Sequence, residues 1–193
     1  MRVFLAINLP SVIRYQLEAE IADLDGKINN SNVRWLEPRG WHITVQFLGE
    51  RSELNIQKIK TVIRKITDQM SVSEIRLVKI TGPIRMRSDH GEAWREPGMI
   101  WAMTDKSSSE TLGALQKNLA DYLRKVGLSF VKEQREFTGH ITLAKFKEDV
   151  RLPDINLAFN ASFRPDSLDL MESHLIGAGS EYEILEKFKF KVE

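Results

Sequence analysis

Hydrophobic positions fall in two patterns along this chain, short β-rich runs and longer stretches with helical spacing. Residues 2–8 carry Val3, Phe4, Leu5 and Ile7 and predict a buried strand. Pro10 and Ser11 then open a helix with Ile13, Leu17, Ile21 and Leu24 on one face and Gly26 as its stop. Residues 33–36 predict a short strand ended by Pro38 and Gly40, and residues 41–48 a strand followed by Gly49. A second helix is predicted over 52–69, where Ile56, Ile59, Ile63 and Ile66 share a face. Strands follow near 73–80 and 83–87, then a surface loop over 88–98 that carries Ser, Asp, Gly and Pro. Residues 99–103 predict another buried strand. Ser107 to Ser109 offer caps for a third helix, with Leu112, Leu115, Leu119, Tyr122 and Val126 on its inner face and Gly127 at its end. Further strands are expected at 139–146, 158–163, 167–175 and 182–190. The last of these leads into Lys187, Lys189 and Lys191, which alternate with Phe188, Phe190 and Val192 and predict one solvated face.

The pattern repeats. Phe4 lies 38 residues before His42, and Ile100 lies 40 residues before His140. Both intervals read strand, helix, then a strand that begins His-Ile-Thr. No Gly/Ser/Pro-rich linker divides them. The expected fold is α+β: one bilobal unit over residues 1–193, with two pseudo-symmetric halves of mostly antiparallel sheet, outer helices and a central cleft.

The chain has four histidines, and two of them stand in the same tripeptide, His42-Ile43-Thr44 and His140-Ile141-Thr142. With 17 Ile and 8 Thr in 193 residues, such a coincidence arises by chance with probability on the order of 10⁻⁴. Side chains alternate along a strand, so each imidazole shares a face with a threonine hydroxyl while Ile43, Val45, Ile141 and Leu143 face the other way. If the halves face each other, two imidazoles and two hydroxyls converge across the cleft. That set suits phosphodiester hydrolysis, which needs a base for water and an acid for the leaving alkoxide. Histidine, with an ordinary pKa of about 6.5, can fill both roles near neutrality. Threonine hydroxyls can donate to the non-bridging oxygens.

Composition narrows the chemistry. The chain has no cysteine, which excludes disulfides, thiolate nucleophiles, Cys-based zinc sites and iron–sulfur clusters. A net charge of +1 argues against a surface coated for non-specific nucleic-acid binding. No apolar run reaches membrane-spanning length, and the apolar start is too short for a signal peptide, so a cytoplasmic protein is expected, without membrane association. No third ligand supports a metal on His42 and His140, so no metal and no cofactor are expected. Gly177-Ala178-Gly179 reads as a hairpin turn, because Tyr182 stands where a dinucleotide fingerprint needs glycine.

These motifs resemble the paired H-x-T-x signatures of the two-histidine (2H) phosphoesterases, and more narrowly the RNA 2′,3′-cyclic phosphodiesterases, also called 2′-5′ RNA ligases. The resemblance runs from Phe4–Pro10 through Val33–Pro38 and His42–Glu50 to Arg135–Phe137 and His140–Phe146. It ends on Glu172-Ser173 and Gly179–Tyr182. It implies opening of a terminal RNA 2′,3′-cyclic phosphate to a 2′-phosphomonoester, with 2′-5′ ligation in reverse for some members. It implies His42 as proton donor and His140 as proton acceptor, an order that the residues alone leave open. The expected partner is an RNA end or nucleotide with a cyclic phosphate, and the expected state a monomer. Other readings stay open: another small cyclic phosphate, a 2′-5′-linked oligonucleotide, or a module that binds RNA ends without chemistry.

Two departures from the family pattern stand out. Gly139 replaces the proline that many relatives carry before the second motif, which predicts a looser turn. Lys145 replaces an arginine, which keeps the charge for phosphate binding but loses the bidentate geometry. Strict alternation puts Lys145 opposite His140, so it reaches the cleft only if the strand twists, bulges or ends. The same parity puts Trp41 and Phe47 on the Ile43 face as core. His90 is expected to be solvated in a loop with Arg85, Arg87, Trp94 and Arg95, and His174 is expected to be structural.

Overall fold

The computed structural model describes residues 1–84, 98–130, 136–147, 149–176 and 179–191. The 85–97 segment, with His90 and its arginines, lies outside the described residues, as do Arg135 and Gly177-Ala178. The elements are β1 (Arg2–Asn8), α1 (Ser11–Ile28), β2 (Val33–Trp35), β3 (His42–Glu50), α2 (Glu53–Thr67), β4 (Ile75–Ile84) and β5 (Gly98–Thr104). They continue with α3 (Lys106–Lys125), β6 (His140–Phe146), β7 (Ile155–Phe163), β8 (Ser167–Ile176) and β9 (Gly179–Lys189).

The strands form one sheet in the order β7-β4-β5-β6-β3-β1-β8-β9, with β2 paired to β6 off that path. Every pairing is antiparallel. The order is symmetric about its middle. The two His-Ile-Thr strands, β6 and β3, meet there at Ile43 and Ile141, and the rest of each half extends outward from them. The halves are interleaved in sequence, since β8 and β9 complete the half that holds β1 and β3. That interleaving explains why no linker separates them.

Burial follows strand parity. Val3, Leu5, Ile7, Ile43, Val45, Ile141 and Leu143 join Ile13 and Leu17 of α1, Ile59 and Ile63 of α2, and Leu115 and Leu119 of α3 in one main core. On the other face of the sheet Phe4, Ala6 and Met171 form a small second cluster with Tyr182. The histidines share that second face.

Several boundaries differ from the pattern. α1 runs through Gly26 and ends at Asn29, which takes a left-handed φ of 42° while its N–H donates to the Asp25 carbonyl. The two strands expected at 73–80 and 83–87 are one strand through residue 84, with register shifts rather than a break. α3 is capped by Asp105, whose carboxylate accepts from the Ser108 N–H at 2.7 Å. The serines do other work: Ser108 Oγ accepts from the Arg76 N–H, and Ser109 Oγ accepts from the Gly139 N–H. Tyr122 and Val126 are exposed, because the apolar stripe of α3 outruns the core, and Leu123 and Ala120 are buried instead.

Candidate active site

Both histidines open their strands in the same way. His42 Nδ1 is 2.7 Å from the Gly40 carbonyl oxygen, and His140 Nδ1 is 2.9 Å from that of Thr138. A carbonyl only accepts, so Nδ1 carries the proton in each ring. This leaves Nε2 free to exchange a proton with a substrate. The Ile43–Ile141 register sets His42 toward Thr142 and His140 toward Thr44, all four on the sheet face away from the main core. Each imidazole thus faces the hydroxyl of the other motif.

Burial pushes the His42 pKa down to about 4, and the nearby His140 and Lys145 push the same way, against the Gly40 carbonyl. Burial also lowers the pKa of His140. Both rings are therefore neutral in the free protein at pH 7, and the site is poised for an anion that restores proton affinity.

Lys145 joins this face through a bulge. Trp101 pairs with Thr142 but Ile100 pairs with Ala144, so β6 carries one extra residue. Leu143 and Ala144 are buried in succession, and Lys145 returns to the side of His140. Burial lowers its pKa, and Arg34, its partner across β2, and Arg2 add to the shift. β3 is bulged at the matching place: Ala6 pairs with Thr44 but Leu5 pairs with Gln46. That corrects the parity of Phe47, which stands 64% exposed on the face that carries the histidines, 6.1 Å from the Phe4 ring. Trp41 is core as expected, and its indole N–H donates to the Leu36 carbonyl.

Three aromatic walls escaped the sequence reading, because they depend on which strands become neighbours. Phe4 lies 5.0 Å from the His42 ring, and Tyr182 meets that ring edge-on at 4.9 Å. Trp101 stacks on His140 at 3.8 Å and 20°. Behind His42, Asn8 is its register partner and donates to Asp169, which also accepts from Ser167. His174 sits between Glu172 and Glu183, with its Nε2 3.6 and 3.4 Å from their carboxylates, and the donor atoms of these three lie within 4.8 Å of one another. By strand parity that cluster faces away from Phe4 and Met171, so it is separate from His42 and His140.

Gly139 is not a loose turn. It is buried, its N–H donates to Ser109, and its carbonyl accepts from both the N–H and hydroxyl of Thr104. A proline there could not make the first bond. A Cβ at 139 would overlap the Thr104 hydroxyl and approach its Cγ2 to 3.0 Å. Gly139→Ala is therefore expected to destabilise the protein by about 1–3 kcal/mol in urea titration. An unchanged midpoint would refute the packing argument.

Known proteins resemble this chain in sequence and in fold. Residues 7–87 match the family model described as LigT like Phosphoesterase. RNA 2′,3′-cyclic phosphodiesterase of Methanocaldococcus jannaschii is 26% identical over 201 residues, covering 97% of this chain and 100% of that one. The protein of the same name from Archaeoglobus fulgidus is 25% identical over 150 residues, covering 76% and 73%. Among solved structures, TT0787 of Thermus thermophilus superposes with a TM-score of 0.77 at 21% identity, covering 98% of both chains. E. coli LigT complexed with 3′-AMP gives 0.69 at 21%, covering 99% of this chain and 98% of that one. The fold is that of these solved structures, and the chain is similar along most of its length to proteins named RNA 2′,3′-cyclic phosphodiesterase. No helix among the described residues is long and apolar enough to cross a membrane.

Proposed function

We propose that this protein hydrolyses a terminal RNA 2′,3′-cyclic phosphate to a 2′-phosphomonoester by two-histidine acid–base catalysis, without a metal. It acts as a cytoplasmic monomer, with residues 1–193 as one bilobal unit. The observation that carries this reading is the pair of imidazoles on one sheet face, each with Nδ1 on a carbonyl and Nε2 free. The curated relatives named RNA 2′,3′-cyclic phosphodiesterase support the substrate class.

In this reading the cyclic phosphate brings negative charge to a site whose histidines are short of protons, and His42 becomes protonated on binding. His140 Nε2 takes a proton from water as the water oxygen attacks phosphorus. The bond from phosphorus to the 3′ oxygen breaks, and His42 Nε2 gives that oxygen its proton. The phosphate remains on the 2′ oxygen. Thr44 and Thr142 donate to the non-bridging oxygens, and Lys145 offsets their growing charge. The same steps in the same direction, with an RNA 5′-hydroxyl attacking phosphorus in place of water, give a 2′-5′ linkage.

The test is to incubate the protein, with excess chelator, with short RNAs and with mononucleotides ending in 2′,3′-cyclic phosphate, and to place the product phosphate by phosphorus NMR. A 2′-phosphate formed faster from RNA ends supports the reading. Preference for mononucleotides would move the substrate to small cyclic phosphates. Tight binding without turnover would make the protein a binding module.

A further inference from the structure

The two halves differ at one matched position beside the histidines. Across from Thr44 on the neighbouring strand stands Ala6, and across from Thr142 stands Trp101. A residue directly opposite another on an antiparallel pair shares its face, and its ring reaches the diagonal neighbour. Here that neighbour is His140, whose ring lies nearly parallel to the indole at 3.8 Å. Among the described residues His42 has no such stack. Its aromatic neighbours are Phe4, tilted by 34°, and Tyr182, edge-on at 85°.

Trp101 is itself buried, 9% exposed, and among the described residues no group accepts from its indole N–H. Its position is therefore set by packing against the imidazole rather than by a hydrogen bond. An indole face attracts a cation more strongly than any other aromatic side chain, and most strongly where water is excluded. On this face β3 brings His42, β6 brings Lys145, β2 brings Arg34 and β1 brings Arg2, while the β5 residues beside His140, Trp101 and Met103, are uncharged. The carboxylates on this face belong to the half that holds His42, Asp169 opposite Ala6 and taken up by Asn8 and Ser167, and Glu50 opposite Arg2, so an imidazolium at His140 gains from the π face what its own half does not supply.

We propose that Trp101 is a positioning residue that makes His140 the proton acceptor of the pair: it fixes the ring plane and stabilises the imidazolium formed as His140 takes the proton of the attacking water. The proposal rests on the hydrolytic reading above. The stack favours a charge present in the transition state and absent from the neutral ground state, so it acts on kcat rather than on substrate binding.

The test compares Trp101→Phe and Trp101→Leu with the parent on an RNA ending in 2′,3′-cyclic phosphate, alongside binding of the matching 2′-phosphate and NMR titration of both histidine rings. Trp101→Leu is expected to lower kcat roughly threefold to thirtyfold, with KM and 2′-phosphate affinity within about twofold. Trp101→Phe, which keeps an aromatic wall, recovers part of the loss. In it the His140 titration and the alkaline limb of the pH profile move to lower pH, while His42 is unmoved. A parent that turns over while both variants match its kcat, or lose only in KM, overturns the role of Trp101. A parent that does not turn over overturns the hydrolytic reading instead. Trp101→Phe decides the question if the leucine variant fails to fold.

Discussion

Replacing either His42 or His140 with alanine is expected to lower kcat on a terminal cyclic phosphate by roughly 10²–10⁴-fold, the usual weight of one general acid or base. The double variant is expected to lose little more than the worse single one, because an acid without its base cannot complete the exchange. The geometry makes the prediction specific. Each ring is anchored through Nδ1 to a carbonyl two residues earlier, so asparagine or glutamine cannot place a titrating nitrogen where Nε2 stands. Binding of a 2′-phosphate by either variant should survive within about tenfold, since Thr44, Thr142 and Lys145 remain. Rapid-quench kinetics on both variants checks this, and kcat within threefold of the parent in either would remove that histidine from the mechanism.

The second large effect is in pH. The pair works with one proton, and both imidazoles titrate below the ordinary 6.5, His42 near 4. The profile of kcat/KM, which reports the free enzyme, is therefore expected to be a bell with its maximum between about pH 4 and 6.5. It should fall about tenfold per unit on the alkaline side, so that little activity remains at about pH 9 under subsaturating substrate. The kcat profile lies at higher pH, because bound phosphate favours the imidazolium. A kcat/KM that rises steadily from about pH 5 to 9 would contradict two-histidine chemistry.

Stability follows the same shift. A histidine whose pKa is lower in the folded chain takes up its proton first in the unfolded one. His42 therefore costs nothing above pH 6.5, and its contribution is lost as pH falls toward 4. Thermal melts should drop over that window by the equivalent of roughly 2–3 kcal/mol. Bound 2′-phosphate should restore part of the loss.

The sequence made the proposed catalytic pair legible because its motif repeats. Two His-Ile-Thr strands at matched distances from two apolar strands imply two similar halves, and the sheet brings those strands together. Lys145 and Phe47 could not be placed, since alternation is a property of one strand and a bulge is a property of a pair. Trp101, Phe4 and Tyr182 looked like core or hairpin residues for a similar reason. Their role arises from register with β3, β6 and β8, set by pairings distant in sequence. Helix ends misled in a smaller way. Ser107 to Ser109 are good caps by type, yet Asp105 comes first and takes the Ser108 N–H, which frees Ser109 to hold the turn before His140.

The interleaved halves also bear on how the molecule is made. Asn8 and Asp169 are hydrogen-bonded across 161 residues of chain, and β1 lies between β3 and β8. Such high contact order predicts slow folding, with late closure of the half that holds His42. During synthesis the first His-Ile-Thr strand leaves the ribosome long before Tyr182, so the His42 ring waits without one wall. A nascent chain halted before β8 would hold both motifs and still lack the β9 wall of the proposed acid site. Under the proposed mechanism, activity would thereby be tied to completion of the chain.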